Sequence, residues 1–289
     1  MISIFYWLLR RTNSPFTHKS ITKIANILMP LWYRLTPTPK LNNNGKIIVS
    51  LTSFPKRINK INLVIESILR QKIKPAKIFL YLSKEQFGDT ICNSNLPKRL
   101  LALQKKGLNI IMVEEDIRSY KKFFYSFRDF PNNLILTIDD DIIYNKDLIN
   151  ILLKKKSSNN VTANLTRLIA KDKNGLLPYS QWQLDNDITK EHIVIGAGGV
   201  LYSPSSLHKD ILNKELFISL APKADDLWLS AMCILNNIKI TSTNYPNAFV
   251  AISIKNNETL YSKNNTNNDI QLSLINDYYY NKIQRKPFD

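Results

Sequence analysis

A chain of 289 residues, 44% of them hydrophobic, is too apolar to be disordered and long enough for one large domain or two small ones. Its two cysteines, Cys92 and Cys233, and three histidines, His18, His192 and His208, share no ligand spacing. This argues against a Cys/His zinc site and fits reduced thiols in a cytoplasmic protein. The net charge of +17 points to an anionic partner, nucleic acid or membrane, and ten of the cations fall within residues 1–65, which contain no acid.

In chain order, Met1 to Leu9 is almost wholly apolar and ends on Arg10-Arg11. A second stretch sets Ile21, Ile24, Leu28, Leu31, Trp32 and Leu35 at helical spacing, with Lys19, Lys23 and Arg34 elsewhere. Neither is long enough to span a bilayer, and no small-residue cleavage site follows. Interspersed cations suit helices lying in an anionic interface; the alternative is a pair of helices packed on the protein's own core. Pro30 argues against one unbroken helix, and Thr36-Pro37-Thr38-Pro39 reads as an extended linker.

The run Ile47 to Thr52 predicts a strand, Ser53 to Arg57 a loop, and Ile61, Val64, Ile65, Ile68 and Leu69 a helix. A second strand is expected over Lys77 to Leu82, a helix from Pro97 to the Gly107 stop, and a third strand over Leu108 to Val113. The fourth strand, Leu134 to Ile138, runs into Asp139-Asp140-Asp141, and Asn145 is placed to cap the helix after it. Alternating strands and helices imply an open α/β sheet, mostly parallel and Rossmann-like, with ligands at the strand ends. There is no GxGxxG after the first strand and no GxxxxGK[ST] anywhere, which excludes the dinucleotide fingerprint and the P-loop.

In extended chain Asp139 and Asp141 point the same way, roughly 6–7 Å apart, and repel by about 2–3 kcal/mol at an effective dielectric near 20. A hard divalent cation removes that cost; the alternative is a solvated acidic turn. The loop Thr52 to Arg57 offers hydroxyls and two cations. Asp116 ends the third strand's loop, and Lys121 and Lys122 follow it, an acid and two cations suited to ribose or base and to phosphate. Later, Gly196-Ala197-Gly198-Gly199 sits between the strands Ile193–Ile195 and Val200–Tyr202 and lets backbone approach a ligand. Ala224-Asp225-Asp226 opens an apolar helix; its acids are caps or include a general base. The aromatics of Pro178 to Gln183 suit either a sugar or a core. Asn256 to Asn268 reads as a polar loop, a candidate lid, and Ile270 to Ile283 as a helix.

This order of features resembles that of bacterial nucleotide-sugar glycosyltransferases of the GT-A fold, family-2-like and inverting, of surface polysaccharide (lipopolysaccharide or capsule) assembly. The Asp triplet is similar to their DxD motif, Gly196 to Gly199 to their glycine loop, and Ala224-Asp225-Asp226 to their xED motif. The resemblance spans roughly residues 46–255. It implies Asp226 as catalytic base; a Mn²⁺ or Mg²⁺ held by Asp139 and Asp141; donor contacts from Thr52, Arg57, Asp116, Lys121, Asp139, Asp140, Gly198 and Gly199; and an acceptor side at Trp182 and Asp225. Many relatives carry a metal-binding histidine near the C-terminus, but no histidine follows His208 here, so water or donor phosphate would complete the metal shell.

The organisation expected is a basic extension and linker over 1–45, a GT-A-like catalytic domain over 46–255, and a polar loop and C-terminal helix over 256–289. The implied partners are a nucleotide-sugar donor, a glycan or lipid-linked glycan acceptor and an anionic membrane met by residues 1–35, but no nucleic acid. The implied location is the cytoplasm, peripheral on the inner face of the cytoplasmic membrane. Two alternatives remain: a metal-dependent nucleotidyltransferase or phosphodiesterase using the same Asp cluster, which leaves Asp226 without a role, and a nucleic-acid-binding protein, suggested by the basic net charge.

Overall fold

The computed structural model of the protein describes residues 1–12, 14–42, 44–88, 96–173, 175–185, 187, 189–243, 249–253 and 265–289. Cys92 and residues 256–264 of the expected polar loop lie outside them. Residues 265–268, expected in that loop, begin a helix instead.

The N-terminus forms helices α1 (Ile2–Arg10) and α2 (Pro15–Leu35). Strand β1 (Ile47–Thr52) leads to α3 (Ile61–Leu69), then β2 (Lys77–Ser83), the short turns of helix α4 (Lys84–Phe87) and α5 (Lys98–Ala102), and β3 (Leu108–Val113). Helix α6 (Lys121–Asp129) precedes β4 (Leu134–Thr137), and β5 (Ile142–Ile143) precedes α7 (Leu148–Lys155). The second half adds β6 (Asn160–Ala163), β7 (Thr166–Leu168), the ribbon β8 (Lys171–Asp172) with β9 (Gly175–Leu176), β10 (His192–Val194) and β11 (Val200–Tyr202). Helices α8 (Lys214–Leu220) and α9 (Asp225–Leu235), strands β12 (Lys239–Ser242) and β13 (Val250–Ala251), and helix α10 (Asn265–Ile283) close the chain.

Seven strands form one sheet in the order β12-β6-β11-β4-β1-β2-β3. All neighbours are parallel except β11, which runs antiparallel to both β4 and β6. The chain is thus α/β, with a mostly parallel Rossmann-like sheet flanked by helices. Strand alternation divides the core between the two faces. Val49, Leu51, Leu136 and Ile138 join the layer of α1, α2, α3 and α7, whereas Ile48 and Ile135 join that of α6, α9 and α10.

Two local expectations are corrected. Asn145 does not cap α7: the cap position is Asp147, whose backbone N–H donates to Asn145 Oδ1. Helix α2 runs unbroken through Pro30. The proline removes the N–H that would reach the carbonyl of Asn26, but tertiary contacts hold the turn. Asn26 Nδ2 donates to the Ala251 carbonyl, and Asn26 Oδ1 accepts from the Ser253 N–H.

The N-terminal helices pack on the sheet layer. Phe5, Tyr6 and Leu9 of α1 and Ala25, Met29 and Tyr33 of α2 are buried in the first core layer, and the Tyr6 hydroxyl donates to the Ile143 carbonyl at 3.0 Å. No described helix is long and apolar enough to cross a membrane.

Candidate active site

The parallel strands β1, β2, β3 and β4 end on one edge, where open α/β sheets bind ligands. The Asp triplet follows β4 by one residue, and its three carboxylates take different environments. Asp140 is buried, accepting from Ser53 Oγ at 2.6 Å and Arg57 Nη1 at 2.5 Å, so both its oxygens are engaged. Asp139 and Asp141 are half-buried, each with one oxygen in an ion pair: Asp139 Oδ1 to Lys122 Nζ at 2.9 Å, and Asp141 Oδ2 to Arg57 Nη1 at 2.9 Å. The triplet therefore does not face itself without counter-charge. Arg57 and Lys122, remote in sequence, supply it.

Lys122 is set in place by the strand beneath it. Its own carbonyl accepts from Ser50 Oγ of β1, and Ser126, one turn on, donates to the same Ser50 oxygen at 2.6 Å. Its side chain, 5% exposed, reaches Asp139 on one side and Asp225 Oδ2 on the other, at 2.8 Å. Burial works against its charge, but Asp139, Asp225 and Asp226 outweigh that and hold its pKa well above the usual lysine value.

The glycine loop forms the floor. Both oxygens of Asp226 accept from the Gly196 N–H at 3.0 Å. A Cβ on Gly196 would lie 2.8 Å from Lys122 Nζ and 2.9 Å from Asp226 Oδ1, so any larger residue would have to push both groups aside. A Cβ on Gly198 would meet Leu165 Cβ at 2.6 Å and the Leu165 N at 2.7 Å, so the loop lies directly on the chain after β6. Tyr144 ties loop to triplet: its buried hydroxyl accepts from the Asp139 N–H at 2.9 Å and donates to the Ala197 carbonyl at 3.1 Å.

Five carboxylates thus surround two cations, and burial, reinforced by neighbouring acids, raises the pKa of three of them, Asp140, Asp141 and Asp226. Burial, with Asp225 beside it, pushes Asp226 to about 7 against the opposing pull of Lys122. Burial and then Asp139 push Asp141 to about 6. Asp140 is also raised, by burial, despite Arg57 and Ser53. The residues fit a hard divalent cation: among the described residues Asp139 and Asp141 each keep one oxygen without an ion pair, on half-exposed side chains, in a site short of positive charge. Among the described residues no three His, Cys, Asp or Glu side chains converge as a complete ligand set, so such a cation would need ligands from the donor or water.

The other expected site residues divide. Arg57, Asp139, Asp140, Asp141, Asp225, Asp226 and the glycine loop converge. Thr52 lies at the end of β1 with its hydroxyl donating to the Tyr81 carbonyl at 2.8 Å. Asp116 and Lys121 form a separate cluster past β3: they pair with each other, and Asp116 also accepts from Gln86 Nε2 at 2.6 Å and from the Arg118 N–H at 2.9 Å. Trp182 does not face an acceptor. It is 2% exposed, packs between Tyr179 and Phe288, and donates its ring N–H to the Leu177 carbonyl, so the ring offers no open face to a sugar. The sequence offered Lys122 only as a phosphate partner, not as the counter-charge of Asp139 and Asp225, and did not point to Tyr144. Their only signals were a lysine beside Lys121 and a tyrosine three residues beyond the triplet.

No family model and no curated protein matches this chain. Among solved structures, a mannosyltransferase from Pyrobaculum calidifontis in complex with GDP-Man and Mn²⁺ aligns with TM-score 0.47 and 10% identity, over 96% of this chain and 76% of that one. A 4-diphosphocytidyl-2C-methyl-D-erythritol synthase from Anaerococcus prevotii aligns with TM-score 0.46 and 14% identity, over 78% and 96%. Residues 1–349 of TarS from S. aureus in complex with UDP-GlcNAc align with TM-score 0.45 and 13% identity, over 75% and 60%. The matching structures also include a 2-C-methyl-D-erythritol 4-phosphate cytidylyltransferase from Thermus thermophilus, with TM-score 0.43 and 11% identity, over 72% of this chain and 92% of that one.

Proposed function

We propose that this protein transfers a sugar from a nucleotide-diphosphate donor to a glycan or lipid-linked glycan, at the inner face of the cytoplasmic membrane, with inversion at the anomeric carbon. The observation that carries this reading is Asp226: a carboxylate raised to about 7, fixed by the Gly196 N–H and set in the same acidic cluster as Asp139. A base with a pKa near the operating pH suits removal of a proton from an acceptor hydroxyl. Asp225 positions Lys122 beside it, and Lys122 keeps Asp226 from rising further. Arg57, held by Asp140, is the cation available to the departing diphosphate. Asp139 and Asp141 would hold Mn²⁺ or Mg²⁺, which when bound stabilises negative charge on the leaving group. Thr52, Asp116, Lys121, Gly198 and Gly199 remain the donor-side set, with Asp116 for ribose or base and Lys121 for phosphate.

Nucleotidyl transfer would use the same cations and triplet but give Asp226 no task. Product analysis separates the two. Incubated with a panel of UDP- and GDP-sugars and an acceptor, the protein should release nucleoside diphosphate; EDTA should stop this and Mn²⁺ restore it. Pyrophosphate release from a nucleoside triphosphate, with no sugar transfer, would replace this reading with the other. Full activity in EDTA would remove the metal from it.

A further inference from the structure

Of the nineteen large apolar side chains left exposed among the described residues, eleven lie in residues 1–35. On α2, Ile24, Ile27, Leu28, Leu31 and Leu35 follow helical spacing and make one continuous stripe opposite the buried Ala25, Met29 and Tyr33. On α1, Ile4, Trp7 and Leu8 are exposed opposite Phe5, Tyr6 and Leu9. Exposed cations accompany the stripe: Arg10 and Arg11 at the end of α1, with Arg11 lying 4.0 Å over the Trp7 ring, and Lys19, Lys23 and Arg34 along α2. No acid occurs anywhere in these helices. Beside the stripe is a cleft of about 610 Å³ whose walls include His18, Lys19, Thr22 and Lys23.

We propose that the outer face of α1 and α2 is a rigid docking plate for an anionic lipid bilayer, with the stripe in the acyl boundary and the lysine cleft taking a phosphate headgroup. Apolar patches of this kind mark interaction surfaces, and aromatic and aliphatic residues rimmed by cations match the interfacial layer of an anionic membrane. A second copy of the chain fits poorly. A two-fold interface would set the same five cations against themselves with no acid on either side to pair them.

The plate is not a flexible tail, because the opposite faces of both helices belong to the core. Through the Ala251 and Ser253 bonds, Asn26 fixes the segment whose Ile252 N–H donates to the Asp141 carbonyl at 2.7 Å. The lipid-facing helix and the Asp triplet are therefore parts of one packed body, and a protein docked this way would meet acceptors carried in the same bilayer. That last consequence rests on the glycosyl-transfer reading; the docking itself does not.

The test uses the full chain and vesicles of phosphatidylcholine with or without phosphatidylglycerol. Wild-type protein should co-sediment with the anionic vesicles only, and less so as salt rises. Lys19→Glu and Lys23→Glu should each weaken binding at least about fivefold, the value of one cation near such a surface. Trp7→Glu with Leu31→Glu should abolish binding while circular dichroism and the thermal midpoint stay at wild-type values. Folded wild-type protein that ignores anionic vesicles would overturn the proposal. So would a concentration-dependent dimer that the Trp7 and Leu31 changes dissociate, since the plate would then be a subunit interface. Vesicle binding without sugar transfer would leave the plate standing and reject the reaction instead.

Discussion

Lys122 is the residue on which the candidate site is balanced. It is buried, it bridges Asp139 and Asp225, and its charge holds Asp226 down. Lys122→Met should therefore act in two ways. Three neighbouring acids lose their shared counter-charge, a change of the kind that costs about 3–5 kcal/mol when one member of a buried charge cluster is removed. Asp226 should also rise above its value of about 7. A base works only when ionised, so kcat/KM of the wild type should fall as pH drops through about 7, and in the variant the same limb should lie at higher pH. A pH–rate profile checks this; an unmoved limb would mean that Asp226 does not control the rate. None of this balance was visible in the residues alone. Asp225 and Asp226 announce themselves beside an apolar run, but the lysine that pairs with them stands 103 residues earlier, in a segment whose double lysine looks like ordinary surface.

At the scale of elements, the glycine loop carries the most structural demand. Gly198 lies on the Leu165 backbone with no room for a methyl group. Gly198→Ala forces the loop away from Leu165 and should lower stability by about 1–3 kcal/mol, as overpacking of a close contact does. It should also displace Gly196, whose N–H holds Asp226. Thermal unfolding together with turnover measures both; a variant with wild-type values in each would show that the loop tolerates displacement. Elements with a strong period, such as β1, β2, β3 and α3, were legible because each has a continuous apolar run or an unmistakable helical spacing. Helix α6 was not, because Lys121, Lys122 and Arg128 surround its aromatic face and mask it as a charged loop. Strands β6 and β12 were missed for a related reason: each is four residues long, and β6 is polar at two positions and β12 at three.

For the whole molecule, the N-terminal helices decide how the protein divides. Residues 1–45 read as a basic extension, yet the inner faces of α1 and α2 lie in the same core layer as β1 and β4. Two amphipathic faces, one buried and one open, give a single sequence pattern, which is why the sequence could not choose between membrane and core. Deleting residues 1–35 removes Phe5, Tyr6, Leu9, Met29 and Tyr33 from that layer at about 1.5–3 kcal/mol for each fully buried side chain. The sum is comparable with the stability of an ordinary domain, so the truncated protein should lose its cooperative unfolding transition. A sharp transition after truncation would show the extension to be separable. The central claim, inverting sugar transfer with Asp226 as base, is tested most directly by proton NMR of the transferred sugar, comparing wild type with Asp226→Asn. The wild type should give a product of opposite anomeric configuration to the donor, and the variant should turn over about 10²–10⁴-fold more slowly at unchanged donor affinity by calorimetry. A product of retained configuration, or a variant turning over at the wild-type rate, would contradict it.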